Sequence, residues 1–160
     1  MQAELKPVDQ HNFATCVSLS VAPDQVDFVA SNLHSLAEAY AFPAFQPRAV
    51  YVDGTMVGFL MFGFGDQSNK WWIIRLMIDH AYQGKGYGRA AMRVAIDLLG
   101  QQPDCREIMI SYYPSNVAPE RLYERIGFRK TGDILHGEVI ARLIFGKYMN
   151  VSIQSKHGPQ

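Results

Sequence analysis

The stretch WWIIRLMIDHAYQGKGYGRAAMRVAIDLLG, Trp71 to Gly100, carries three signals in succession. Trp71 to Ile78 is apolar on both faces of an extended chain except at Arg75, which is the pattern of a central, doubly covered strand. Gln83-Gly84-Lys85-Gly86-Tyr87-Gly88 is then rich in glycine. From about Gly88 to Leu99 a helix follows, with Ala91, Ala95, Leu98 and Leu99 on its buried side and Arg89, Arg93 and Asp97 facing water. Alternating glycines let several backbone N–H groups point into one concave space, and a helix N-terminus adds partial positive charge. Strand, loop and helix together predict a seat for a phosphate or pyrophosphate. The GxxxxGK[ST] loop is absent. Gly86, Gly88 and Ala91 formally meet GxGxxA, but the next strand ends in Ser111, Tyr112 and Tyr113, with no acid for a ribose.

On the N-terminal side, Ala3 to Lys6 reads as a short strand and Val8 to Ser18 as a weak helix. Val26, Val29, Leu33, Leu36, Ala37 and Tyr40 recur at helical steps after Pro23, and Pro43 and Pro47 end that pattern. Arg48 to Val52 and Thr55 to Phe64 are β-rich and flank Asp53-Gly54, a hairpin signal of type I′. On the C-terminal side come a strand from Glu107 to Tyr112 and a helix from Pro119 to Ile126. Strands from Phe128 to Thr131 and Glu138 to Phe145 follow. The order predicts one mixed α/β domain over residues 1–145, with an antiparallel meander and one βαβ unit. Residues 146–160 lose the pattern and read as a mobile tail.

Composition narrows the class. Of 160 residues, 48% are hydrophobic and 19% charged, a globular balance able to support a core. Fifteen basic and 15 acidic residues cancel, so nothing points to nucleic acid or a membrane surface. Cys16 and Cys105 form no CxxC and no zinc pattern, and are expected to be unreactive thiols; no metal is implied. The opening MQAELKPVDQ lacks the layout of a signal peptide, and runs such as FLMFGF fall short of the roughly 20 residues of a membrane helix. A cytoplasmic location is the resulting expectation.

Gln83-x-x-Gly86-x-Gly88 matches the Q/R-x-x-G-x-G/A signature of the GNAT acetyltransferase superfamily. Leu76-Met77-Ile78-Asp79 resembles that family's fourth strand, and Asn116 followed by Leu122-Tyr123-Glu124-Arg125-Ile126-Gly127-Phe128 resembles its second motif. Ser35 to Tyr40, Val57-Gly58-Phe59 and Trp71 to Ile74 narrow the resemblance to bacterial spermine/spermidine acetyltransferases. The resemblance spans roughly residues 3 to 145 and implies a GNAT-like, largely antiparallel central sheet flanked by helices. It implies acetyl transfer from acetyl-CoA to a primary amine of a polyamine, by direct attack in a ternary complex. It also suggests a homodimer. Another small-molecule or protein amine, or a coenzyme A-binding module without catalysis, are the alternative readings.

The same resemblance distributes roles. Backbone N–H groups from Gly84 through Lys85, Gly86 and Gly88 to Arg89, with Gln83, would hold the pyrophosphate. The Leu76 N–H would polarise the acetyl carbonyl, an oxyanion-type contact. Ile78 would pair its backbone with the pantetheine arm. Tyr123 would bind the cofactor and protonate the departing thiolate. Asn116 would contact the cofactor, while its place before a helix also suits a cap, and the two roles are compatible. Glu38 and Tyr40 would receive the polyamine, with Asp79 nearby. Some members carry a glutamate base on the fourth strand, but Trp72 occupies that position here. Glu38, Asp79 and Glu138 are the remaining base candidates, while His80 reads as a surface histidine and Trp71 and Trp72 as strand packing.

Overall fold

The structure, a computed structural model, describes residues 1–65 and 68–147. Seven strands form one sheet: β1 (Ala3–Pro7), β2 (Phe45–Val52), β3 (Thr55–Gly65), β4 (Lys70–Ile78), β5 (Glu107–Tyr112), β6 (Arg129–Leu135) and β7 (Glu138–Ile144). Their spatial order is β1-β2-β3-β4-β5-β7-β6, which puts β4 at the centre. Every neighbouring pair is antiparallel except β4 with β5. Helices α1 (Phe13–Ser18) and α2 (Asn32–Ala41) cover one face, and α3 (Tyr87–Gly100) and α4 (Val117–Ile126) cover the other. The expected mixed α/β class and central βαβ unit are both present.

Local chemistry explains the turns. Asp53 and Gly54 have φ of 49° and 81°, the two positive values a type I′ turn needs, and His136 and Gly137 repeat this with 49° and 79°. The second turn starts β7 at Glu138. On α3 the apolar stripe buries Ala91, Ala95 and Leu99 as expected, but Leu98 stays 36% exposed and Met92 takes its place. The helical stretch predicted from Pro23 breaks in two: Pro23–Gln25 is one turn of 3-10 helix, and α2 begins only at Asn32, capped by the Ser31 hydroxyl. Of the predicted face only Val29 and Leu36 pack against the core. Val26, Leu33 and Tyr40 are exposed, while Asn32 and Ser35 are buried. The predicted tail lies outside the described residues beyond Lys147; up to there Phe145–Lys147 forms a last 3-10 turn. Among the described residues no helix is long and apolar enough to cross a membrane.

One irregularity positions everything that follows. Between β3 and β4 the register jumps: Met61 faces Arg75, but Phe62 faces Ile73, which leaves Ile74 as an extra residue in β4. Ile74 packs with the α1/α2 cluster and Arg75 reaches Glu38 on α2, so two successive residues lean to one face. Beyond the bulge β4 loses β5, pairing with it only at Trp71–Ile108 and Trp72–Met109. Gly58, opposite Ile78, holds β3 tight against the far side of this free segment. A Cβ there would collide with the Met77 carbonyl oxygen and lie 2.8 Å from Ile78 Cδ1. Gly58→Ala is accordingly expected to cost about 1–3 kcal/mol of stability in urea denaturation. Unchanged stability would mean that the two strands part freely.

Candidate active site

The gap between β4 and β5 opens into a cleft of about 960 Å³, lined by both strands, the glycine loop, the start of α3, α4 and the segment before α2. Its backbone chemistry follows from register. The Asp79 N–H donates to the Val57 carbonyl at 2.9 Å while Gly58 stands opposite Ile78. In an antiparallel ladder this makes Gly58–Ile78 a pair without mutual hydrogen bonds, and Leu60–Leu76, two residues away, another. The N–H and C=O groups of Leu76 and Ile78 therefore point away from β3, into the gap. The Ile78 carbonyl accepts from Gln83 Nε2 at 2.9 Å. The same Nε2 donates to Gln25 Oε1 at 2.8 Å, so Gln83 ties the loop to the strand end by its side chain.

The loop ends in an uncapped helix. Gly84 and Gly86 take φ of 76° and 82°, which L side chains rarely adopt. Gly86 is the N-cap of α3 and supplies no side-chain cap; the first N–H bound within the helix is that of Ala90, to the Gly86 carbonyl at 3.1 Å. The N–H groups at the start of this 14-residue helix are left to a ligand. Arg89, Arg121 and Arg125 line this end of the cleft, and the chemistry of the whole end suits an anion. Gly84, Gly86, Gly88 and Arg89 line the cleft as expected, whereas the Lys85 side chain turns aside, its Nζ 5.7 Å from the centre of the Tyr82 ring.

Tyr123 and Asn116 also line the cleft. Asn116 occupies the N-cap position of α4 but makes no capping hydrogen bond, so of its two expected roles the side chain is free only for the cleft. Tyr123 is half-buried, with ring centroids 5.7 Å from Tyr112 and 6.0 Å from Phe128. Burial, with a smaller push from Tyr112, raises its phenol from the usual 10.0 to about 12. It stays protonated throughout the neutral range.

Three residues expected at the acceptor end stand elsewhere. Glu38 does not line the cleft: Arg75 Nη2 and His34 Nε2 both lie 2.8 Å from its Oε1. Arg75, which does line the cleft, is what Glu38 holds. Tyr40 is 92% exposed and outside the cleft, because α2 turns that face to solvent. Asp79 is buried and its carboxylate is spent on the backbone, accepting from the Ser20 and Ala81 N–H groups at 2.9 Å each. Trp71 and Trp72 pack as expected, Trp71 edge-on to Phe64 and Trp72 with its Nε1 on Ser68 Oγ at 2.9 Å. The sequence reading missed Asp27 and Phe28, which line the cleft from the segment misread as helix, and Tyr113, whose ring lies 6.3 Å from Phe28. It also passed over Arg121 and Arg125 as site residues, although their spacing on α4 places them on one helix face.

Known proteins match this architecture. The family model described as acetyltransferase (GNAT) family matches residues 13–128. A spermine/spermidine N(1)-acetyltransferase of Bacillus subtilis is 32% identical over 147 residues, covering 88% of this chain and 97% of that one. Among solved structures, aminoglycoside acetyltransferase AAC(6')-Ib in complex with coenzyme A superposes with a TM-score of 0.77 at 20% identity, over 92% of this chain and 99% of that one. A spermidine N-acetyltransferase of Vibrio cholerae, in complex with CoA and spermine, superposes at 0.73 and 17% identity, over 93% and 99%.

The Tyr123 environment predicts an alkaline signature. The unfolded chain releases this proton from about pH 10, whereas the folded chain keeps it to about 12. The unfolded state then binds fewer protons, so stability falls as pH rises through that window, by up to about 2–3 kcal/mol. Urea denaturation from pH 9 to 11 should show a shallower fall in Tyr123→Phe. Identical slopes would contradict the burial of the phenol.

Proposed function

The chain belongs to the GNAT acetyltransferase family and is an acetyl-CoA-dependent N-acetyltransferase, and we propose that its acceptor is a primary amine of a polyamine such as spermine or spermidine. The observation that carries this is the lining of the cleft on its α1/α2 side. Two carboxylates, Asp27 and Glu138, and two aromatic rings, Phe28 and Tyr113, stand there. A flexible polycation is held by this combination, through ion pairs and cation–π contacts. The identity with the Bacillus subtilis spermine/spermidine enzyme, nearly end to end, supports the same acceptor. Assembly as a homodimer belongs to the same reading, on the family resemblance, and a cytoplasmic location goes with it.

In this reading the uncapped start of α3 and the loop from Gly84 to Arg89 hold the pyrophosphate of acetyl-CoA. The free edge of β4 receives the pantetheine arm at Ile78. The Leu76 N–H polarises the thioester carbonyl, and its contact strengthens as negative charge grows on that oxygen. The amine attacks directly, with both substrates positioned in one cleft. Tyr123 donates to the departing sulfur. With the phenol near 12, full transfer to a thiolate of ordinary pKa, about 8.5, is uphill by roughly 5 kcal/mol. The phenol therefore stabilises charge on sulfur as a hydrogen-bond donor before any proton moves.

Thiol release from acetyl-CoA should be tested with spermine, spermidine, a diamine, an aminoglycoside and a lysine peptide. Release with spermine or spermidine above the others is expected; preference for another amine would discard the polyamine acceptor and leave the transfer itself. Tyr123→Phe is expected to lower kcat by about 10² or more with coenzyme A affinity nearly unchanged. An unaltered kcat would remove Tyr123 from the reaction.

A further inference from the structure

We propose that Glu138 is the group that receives the attacking amine and accepts its proton, positioned by Ser111. The inference rests on the amine-acetylation reading above. An alkylamine arrives protonated at neutral pH, and a nitrogen that keeps its proton has no lone pair to attack with. The position where some relatives place a base on β4 is Trp72, whose ring is occupied by packing and by Ser68. Of the other carboxylates the sequence offered, Glu38 is bound by Arg75 and His34, and Asp79 by two backbone N–H groups. Asp27 lines the cleft but is exposed. Glu138 lines the cleft, is half-buried, and forms no ion pair among the described residues.

Its placement follows from the sheet. Val139, Ala141 and Leu143 of β7 and Ile108, Ile110 and Tyr112 of β5 turn to the α3/α4 core. By alternation Glu138 and Ser111 point to the opposite, α1/α2 face. Ser111 stands opposite Ile140, and its Oγ donates to Glu138 Oε2 at 3.5 Å, which leaves Oε1 for the amine. Tyr123 belongs to the α3/α4 side. Base and donor thus flank the cleft from opposite faces of the sheet, with the free edge of β4 between them. The other charged side chains on the acceptor side of the cleft are Asp27 and Arg75, and Arg75 is already neutralised by Glu38.

The proton balance closes. Glu138 takes one proton from the ammonium, the freed lone pair forms the C–N bond, and the C–S bond breaks with its electron pair on sulfur. The second proton leaves the nitrogen as the amide forms. The departing sulfur, stabilised by the Tyr123 hydrogen bond, takes up that second proton through cleft water, while Glu138 returns its own proton to solvent. The net yield is the amide, the thiol and one proton.

The test compares kcat/KM of wild type, Glu138→Gln and Glu138→Asp between pH 6.5 and 9, on whichever amine the wild type prefers, with coenzyme A affinity from calorimetry. A change of preferred amine would sink the polyamine acceptor without touching this assignment. Glu138→Gln is expected to lose about 10²-fold or more near pH 7. Its residual rate should climb about tenfold per pH unit as free amine accumulates, more steeply than wild type, and Glu138→Asp should recover part of the loss. A profile of wild-type shape in Glu138→Gln, at any rate level, overturns the proposal. So does a parallel loss of coenzyme A affinity, which would put Glu138 among the groups that hold the fold.

Discussion

The site depends on the parting of β4 from β5. A strand in the middle of a sheet normally spends its backbone groups on two neighbours, because a buried unpaired N–H or C=O costs as much as a lost hydrogen bond. Here the extra residue Ile74 bends β4 away, and the parallel pairing with β5 ends after two residues. From Leu76 to Ile78 one edge is left facing a cleft. β5 does not follow β4 across the gap, since it is held on its other side by β7 along its whole length. A sheet with a wedge-shaped opening at its centre is a receptor for another extended backbone, and an amide-bearing arm such as pantetheine supplies one.

The same opening divides the labour of the carboxylates. Glu38, Asp79 and Glu138 differ in what holds them, and so in what each can do. Glu38 meets Arg75, a cation that would otherwise stand unopposed beside the acceptor. Asp79 fixes the turn that follows β4, and so the entry of the chain into the glycine loop. Among the described residues Glu138 has only a weak hydroxyl contact, from Ser111. Burying a charge is costly unless it is paired, so a half-buried carboxylate left open to a cleft implies a cationic partner that arrives with the substrate. Arg75 and Glu38 together add almost no net charge to the acceptor side, which leaves Asp27 and Glu138 to set its sign.

Much of this was legible in the sequence, and the failures have physical causes. The glycine loop, the central strand and the type I′ turn at Asp53-Gly54 were readable because each rests on local rules: positive φ, continuous burial, helix-terminal N–H groups. The unclaimed edge at Leu76 and Ile78 was available only through the family resemblance, because a bulge leaves no mark in a hydrophobic run. The segment from Pro23 to Ala30 was misread since apolar spacing also arises where residues line a cleft rather than a core: Val26 and Phe28 are there for the cleft, not for a helix. Glu38, Tyr40 and Asp79 were placed by the family resemblance, and an ion pair to a residue 37 positions away, as between Glu38 and Arg75, is not visible in spacing.

A site built this way separates two evolutionary pressures. In the proposed reading its anion seat and its carbonyl contact are backbone groups, which survive most substitutions as long as the bulge, the glycines and the register survive. Side chains then matter chiefly where the amine is recognised and its proton removed, on the α1/α2 face. Replacing a β4 acid with Trp72 is tolerable on that account, provided that another carboxylate reaches the same space from a different strand. β7 can provide it because the turn at His136-Gly137 starts that strand beside the end of β5, at the cleft. The base can thus migrate across the sheet while the thioester stays where it is.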